Sequence, residues 1–160
     1  MILSDGKILE AMRAGRLKID PFDASSVTPN GVDFHLGDEV AMIRPGGEYR
    51  AERTRVEGEV QAESDSLVLA STLEAISLGP DLVGLVNLRS TYARLGYSIS
   101  PTVVDAGYSG RLTIQVRTPP YPVTMKKGER IWHLVFLDCH ASSKPYGGRY
   151  QNMFGLMEGK

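Results

Sequence analysis

Short apolar or alternating segments recur along almost the whole chain, and glycine or proline separates nearly every one from the next. Val32–Leu36, Val40–Ile43, Ser66–Ala70, Leu82–Val86, Arg111–Arg117 and Ile131–Leu137 have the length and patterning of strands. Between them stand Pro45-Gly46-Gly47, Gly79-Pro80, Asp105-Ala106-Gly107, Pro119-Pro120 and Lys127-Gly128, residue pairs and triplets suited to turns. Many short strands with frequent turns predict an all-β barrel or sandwich. A helix is expected only at the start. Ser4 can cap it, Leu3 and Ile8 stand at staple spacing, Ile8, Leu9 and Met12 share a face, and Gly15 can end it. The polar run Glu48–Ser64 reads as an exposed hairpin or loop. The tail Ser142–Lys160, with four glycines and few core candidates, is expected to be mobile when nothing is bound.

With 160 residues the chain fits one domain, and no composition shift divides it. Eighteen basic and nineteen acidic residues leave a net charge of -1, so no overall field holds a nucleic-acid polymer. Cys139 is alone and cannot form an intramolecular disulfide, which favours a reducing compartment. No apolar run approaches a membrane span and no signal peptide is visible, so the expected location is the cytoplasm. His35 and His140 lack partners at metal-ligand spacing, so no metal held by protein ligands is expected.

Three places can carry chemistry. Arg89-Ser90-Thr91-Tyr92-Ala93-Arg94 follows an apolar strand, with Ser90 a candidate cap of a short internal helix. It reads either as an anion cradle, with Arg89, Ser90, Thr91 and Arg94 adding donors to free helix amides, or as an ordinary capped surface helix. Asp105 opens the turn Asp105-Ala106-Gly107-Tyr108 at a strand mouth, where a carboxylate can orient water, hold a sugar hydroxyl or simply cap its own turn. Tyr108 offers a ring to a deoxyribose. On the next strand Leu112, Ile114 and Val116 share one face while Arg111, Thr113, Gln115 and Arg117 share the other. Asp33 reads as an arginine-pairing structural carboxylate or a polar strand residue, and His133 as a hydrogen-bonded core or interface histidine. Tyr146, Tyr150 and Phe154 are loose aromatics or a lid.

Together these residues resemble the superfamily that joins deoxyuridine triphosphate nucleotidohydrolases with deoxycytidine triphosphate deaminases. Met1-Ile2-Leu3-Ser4-Asp5 with Gly15-Arg16-Leu17-Lys18-Ile19 is similar to deaminase-type N-termini. Asn30-Gly31-Val32-Asp33, the Arg89–Arg94 segment, Asp105–Gly110 and Lys127-Gly128-Glu129-Arg130-Ile131 resemble the family's successive motifs, and Pro145–Gln151 its deaminase-like tail. The resemblance implies a distorted β-barrel or jelly roll covering residues 1–160, with a tail over 142–160 that closes on the active site. It also implies a homotrimer with shared active sites, and Mg²⁺ brought in on the substrate triphosphate.

The two activities part at Gln115. The resemblance implies a glutamate there in deaminases, shuttling the proton of the water that attacks the pyrimidine. An amide has no basic group for that task at neutral pH. Asp105, the carboxylate implied for water attack on the α-phosphorus, is present, and the segment from Arg94 to Asp105 is short for a deaminase. His133 stands where the triphosphatase pattern carries a glutamine, and the tail ends in Phe154-Gly155 without the usual glycine-rich run. The expected activity is hydrolysis of dUTP to dUMP and pyrophosphate. Arg89, Ser90, Thr91, Arg94, Tyr146 and Gln151 would bind substrate, Tyr108 would stack on the sugar, and Gln115 and the backbone near Ser100–Val104 would line the base. The alternatives are a dCTP deaminase and a non-catalytic deoxynucleotide-binding regulator of the same fold.

Overall fold

The computed structural model describes residues 1–44 and 50–159, with the backbone alone for Arg44; the expected turn Pro45-Gly46-Gly47 lies outside the described residues. Helix α1 spans Asp5–Arg13, preceded by Ser4 in extended conformation, whose hydroxyl makes no cap hydrogen bond. Ile8 and Ala11 are buried, and Gly15 follows with φ +72°. Leu9, expected on the buried face, is 38% exposed, because the core-facing stripe runs through Ile8, Ala11 and Met12 instead.

The strands are β1 (Leu17–Asp20), β2 (Val27–Thr28), β3 (Gly31–Arg44), β4 (Arg50–Arg55), β5 (Glu59–Ala62), β6 (Leu67–Leu78) and β7 (Leu82–Leu88). After the short helix α2 (Ser90–Arg94) come β8 (Ser98–Ile99), β9 (Thr102–Val104), β10 (Ser109–Arg117), β11 (Val123–Lys126) and β12 (Arg130–Asp138). The main sheet runs β8-β10-β6-β3-β12-β7-β9, with β1 also on β6 and both β2 and β4 also on β3. Every one of these pairings is antiparallel. Its two ends, β8 and β9, are separated in sequence only by Ser100 and Pro101, so the sheet curls until its edges nearly meet. The expected all-β, barrel-like class and the two short helices are what the chain forms. No helix among the described residues is long and apolar enough to cross a membrane.

Val32–Leu36 and Val40–Ile43, expected as two strands, are one. The first half of β3 pairs with β12, the second with β4, and β6 crosses both through a register shift between Leu36 and Val40. Gly37 sits at that corner. A Cβ there would lie 2.6 Å from Ser71 Oγ and 2.7 Å from the Thr72 carbonyl oxygen, so only glycine lets the two backbones approach. Strand β6 runs on to Leu78, well past the expected end at Ala70. Its buried Ser71, Thr72 and Glu74 broke the apolar pattern, and each is satisfied internally: Ser71 Oγ donates to Glu39 O, Thr72 Oγ1 donates to Glu74 O, and Glu74 pairs with His35.

The polar run Glu48–Ser64, in its described part, is neither a loop nor a hairpin. Strand β4 joins β3, whereas β5 pairs with the distant β11. Val56, Ala62 and Met125 are buried under this small second sheet. The core lies inside the curl, with Phe34, Leu36, Trp132, Leu134 and Phe136 fully buried.

A Gly37→Ala substitution should lower stability by about 1–3 kcal/mol, because the new methyl meets backbone that cannot retreat. Urea unfolding checks this, and an unchanged midpoint would contradict the corner role.

Candidate active site

The chain folds around a cleft of about 490 Å³ lined along one wall by the outward face of β10, including Arg111, Thr113 and Gln115. Thr102, Val103, Val104 and Asp105 form a second wall, and Tyr108, Tyr146, Tyr150, Met157 and Glu158 close the rest. Strand alternation explains the first wall. Leu112, Ile114 and Val116 turn into the core, which turns Arg111, Thr113 and Gln115 toward the cleft. Arg111 is anchored by Asp38 at 3.2 Å, and Thr113 Oγ1 accepts from the Met157 amide at 2.9 Å.

Asp105 follows β9 and opens the turn into β10. Its backbone carbonyl accepts from Tyr108 N at 3.1 Å, and Gly107 carries φ +86°. The carboxylate makes no hydrogen bond or ion pair among the described residues and does not cap its own turn. Asp105 is exposed and lines the cleft, where a carboxylate can accept a proton from water. Tyr108 is 8% exposed, and its hydroxyl donates to Arg111 O at 2.7 Å. Burial, with Tyr146 nearby, pushes its phenol up to about 12, so it stays protonated and serves as a packed wall. Its ring lies 5.6 Å from that of Tyr146.

Gln115 faces the corner between β8 and β9. Its Oε1 accepts from Ser100 Oγ at 2.7 Å, so the side-chain amide is held in the cleft wall. Glu158, which the sequence reading missed because no pattern marks it, also lines the cleft and pairs with Arg53 at 2.7 Å. Arg111, on the polar face of its strand, lines the cleft as well. The alternation that exposed Gln115 applies equally to it.

Gln151 reaches the same turn from the tail. Its Nε2 donates to Gly107 O at 2.8 Å and its Oε1 accepts from Ser109 N at 2.9 Å. The tail also holds a buried core residue, Leu156 at 2% exposure, although few core candidates were expected there.

None of Arg89, Ser90, Thr91 and Arg94 lines this cleft. Within one chain, then, the segment Asn87–Gln115 is two places. Helix α2 begins one residue earlier than expected: Arg89, not Ser90, is the cap position, and Ser90 is the first helical residue, with no side-chain cap hydrogen bond. Tyr92 is the buried anchor of this helix, edge-on to Tyr97 at 5.3 Å, and burial with the Glu129 carboxylate raises its phenol. Ser90, Thr91 and Arg94 are exposed. Arg89 Nε lies 2.8 Å from Asp33 Oδ2, and Asp33 Oδ1 lies 3.0 Å from His133 Nδ1. Asp33 is 5% exposed, so a buried carboxylate ties the start of α2 to β12. Gly31 leaves room for that histidine: a Cβ there would lie 2.6 Å from His133 Nε2.

Comparison with known proteins agrees with the fold. The sequence pattern of the dCTP deaminase-like family matches residues 2–139. A protein of Hyperthermus butylicus named dCTP deaminase is 36% identical, the match covering 98% of this chain and 97% of the relative. One of Sulfolobus islandicus rod-shaped virus 1, named probable deoxyuridine 5'-triphosphate nucleotidohydrolase, is 39% identical over 98% of this chain and 96% of its own. The crystal structure of 2'-deoxycytidine 5'-triphosphate deaminase from Agrobacterium tumefaciens superposes with a TM-score of 0.72 at 20% identity, covering 84% of this chain and 47% of that one, and so shares the fold. On the match along residues 2–139 and these full-length relatives, the chain belongs to the dCTP deaminase-like family.

Proposed function

We propose that the protein is a dUTP diphosphatase that releases dUMP and pyrophosphate by attack of water on the α-phosphorus. The observation that carries this reading is Gln115. It lines the cleft at the position where the resemblance implies a proton-shuttling carboxylate in deaminases, and its amide carbonyl accepts from Ser100. An amide neither takes nor returns a proton at neutral pH. Among the described residues two carboxylates line the cleft: Glu158 pairs with Arg53, whereas Asp105 has no partner there. Asp105 is therefore assigned to orient the water and accept its proton. The viral relative named as a probable deoxyuridine triphosphate nucleotidohydrolase is consistent with this assignment.

Tyr108 and Tyr146 form the wall against which the deoxyribose packs. Arg89, Ser90, Thr91 and Arg94 would hold the phosphates through charge-assisted hydrogen bonds. Because they lie outside the Asp105 cleft of their own chain, the reading includes a homotrimer in which one copy's α2 completes another copy's cleft. Mg²⁺ would enter with the triphosphate, whose oxygens and water supply the ligands it prefers, and neutralise charge on the leaving pyrophosphate. Residues 1–160 would act as one cytoplasmic unit, with the tail over 142–160 closing the cleft.

A second reading, dCTP deaminase, is favoured by the name of the Hyperthermus relative and by Glu158, a carboxylate in the same cleft as Gln115. Product analysis with dUTP and dCTP, each with Mg²⁺, separates the two. dUMP and pyrophosphate from dUTP are expected; ammonia and dUTP from dCTP would replace the first reading by the second. Binding of both without turnover would leave a regulator.

Three outcomes follow from the residue assignments. Asp105→Asn should reduce dUTP hydrolysis by about 10²–10⁴-fold, and full activity in that variant would remove Asp105 from the water step. Gln115→Glu should keep most of the hydrolysis, since it leaves Asp105 in place; a loss as deep as that of Asp105→Asn would show that Gln115 handles the water itself. In solution, light scattering should give the mass of three chains, and a monomer with full activity would refute the shared site.

A further inference from the structure

The tail does more than line the cleft. It is fitted to the turn that carries Asp105. Tyr146 N donates to Ala106 O at 2.8 Å, Asn152 N donates to Ser109 O at 2.7 Å, and Arg111 N donates to Met153 O at 2.8 Å. Between these contacts Gln151 supplies a donor to Gly107 O and an acceptor to Ser109 N, at 2.8 and 2.9 Å. Asn152 adopts φ +57° to make the bend.

The turn, in its composition, is shaped to the tail. Gly107 has φ +86°, and a Cβ on it would lie 2.5 Å from Pro145 Cβ. Gly110 has φ +145°, and a Cβ on it would lie 2.5 Å from Met153 O. Both glycines therefore meet two needs at once, a backbone conformation that side chains disfavour and a close approach by the tail. Beyond them the tail is anchored by Leu156, whose side chain is buried and whose amide donates to Glu39 Oε2 at 2.5 Å. The tail thus meets the rest of the chain at several points between Pro145 and Met157.

We propose that Gln151 is a positioning residue, which sets the 105–109 turn by bonding both ends of its amide to that turn's backbone, so that each chain's own tail shapes its own Asp105 site. The inference rests on the reading of Asp105 as the group that handles water. Glutamine suits the place because one side chain must serve a carbonyl and an amide two residues apart. Glutamate keeps the acceptor for Ser109 N but sets a second oxygen against Gly107 O, and alanine removes both bonds. A residue that instead gripped phosphate would act on substrate affinity, and the two roles divide between kcat and KM.

The test uses the full chain with Mg²⁺, comparing wild type, Gln151→Glu and Gln151→Ala by steady-state kinetics on dUTP and by amide hydrogen exchange at Ser109. Gln151→Ala should lower kcat by about 10–100-fold with KM little changed, the size expected when a supporting contact lets a reacting group drift. Gln151→Glu should fall between it and wild type, and both should speed exchange at Ser109. A rise in KM at unchanged kcat would overturn the proposal in favour of direct substrate contact. Faster exchange at Ser109 with unchanged kcat would overturn it too, because the turn would then not govern the reaction. If the wild type consumes dCTP in place of dUTP, the assigned activity fails while the same comparison, run on dCTP, still decides the role of Gln151. Turnover of neither would overturn both.

Discussion

Because β8 and β9 stand at opposite ends of the strand order yet are joined by Ser100 and Pro101 alone, the main sheet has to curl on itself. That short connection places β10, next to β8, across a narrow gap from Asp105, the residue after β9. The cleft is the space left where the two edges of the sheet come together without hydrogen bonding to each other. Ser100, at the corner, reaches Gln115 and links the two walls. The other turn of the sheet is made within β3, at Gly37, where the strand leaves β12 and takes up β4. A sheet with two such changes of direction needs close backbone approaches, and glycine provides them.

Two buried carboxylates fix the parts that the curl brings together. Asp33 and Glu74 are 5% and 4% exposed, and both are paired, as burial of charge requires. Asp33 holds Arg89 and His133, which sets the start of α2 against β12. Glu74 accepts from His35 N at 3.0 Å and contacts His35 Nδ1. The other ring nitrogen of His35 accepts from Arg130 Nε at 3.3 Å, which leaves the ring proton on Nδ1, directed at the glutamate. Arg130 in turn reaches Asp23 and Ser25, so the 3₁₀ turn before β2 joins the same network. Removing Asp33 would take from Arg89 and His133 the carboxylate they share, and removing Glu74 would take from His35 its partner at Nδ1.

The places where the sequence misled are polar residues inside the fold and apolar residues in polar surroundings. Ser71, Thr72 and Glu74 hid most of β6, since alternation of apolar and polar residues cannot reveal a buried polar side chain that is satisfied inside the fold. Val56 and Ala62 were masked by charged neighbours, and β5 finds its partner in β11, more than sixty residues away in the pairing of Ala62 with Val123. Leu156 is buried while its neighbour Phe154 is exposed, a choice that no local periodicity marks. By contrast, β10 was legible because its two faces have one destination each, the core and the cleft.

The chemistry of the candidate site was legible in residue types: an arginine-rich helix start, a carboxylate in a glycine turn, and an amide on the following strand. Their proximity was not. In sequence Arg89 and Asp105 are close enough to belong to one site, and only the curl of the sheet places Arg89, Ser90, Thr91 and Arg94 outside the cleft that holds Asp105. Gln151 reverses the case, lying far from Asp105 in sequence but bonded to its turn. The sequence by itself determined the strand-rich class and the face of β10 that meets the cleft, because local periodicity suffices for both. The tertiary structure alone decided which distant groups share that cleft, because such contacts depend on strand order and closure, which leave no periodic trace in the chain.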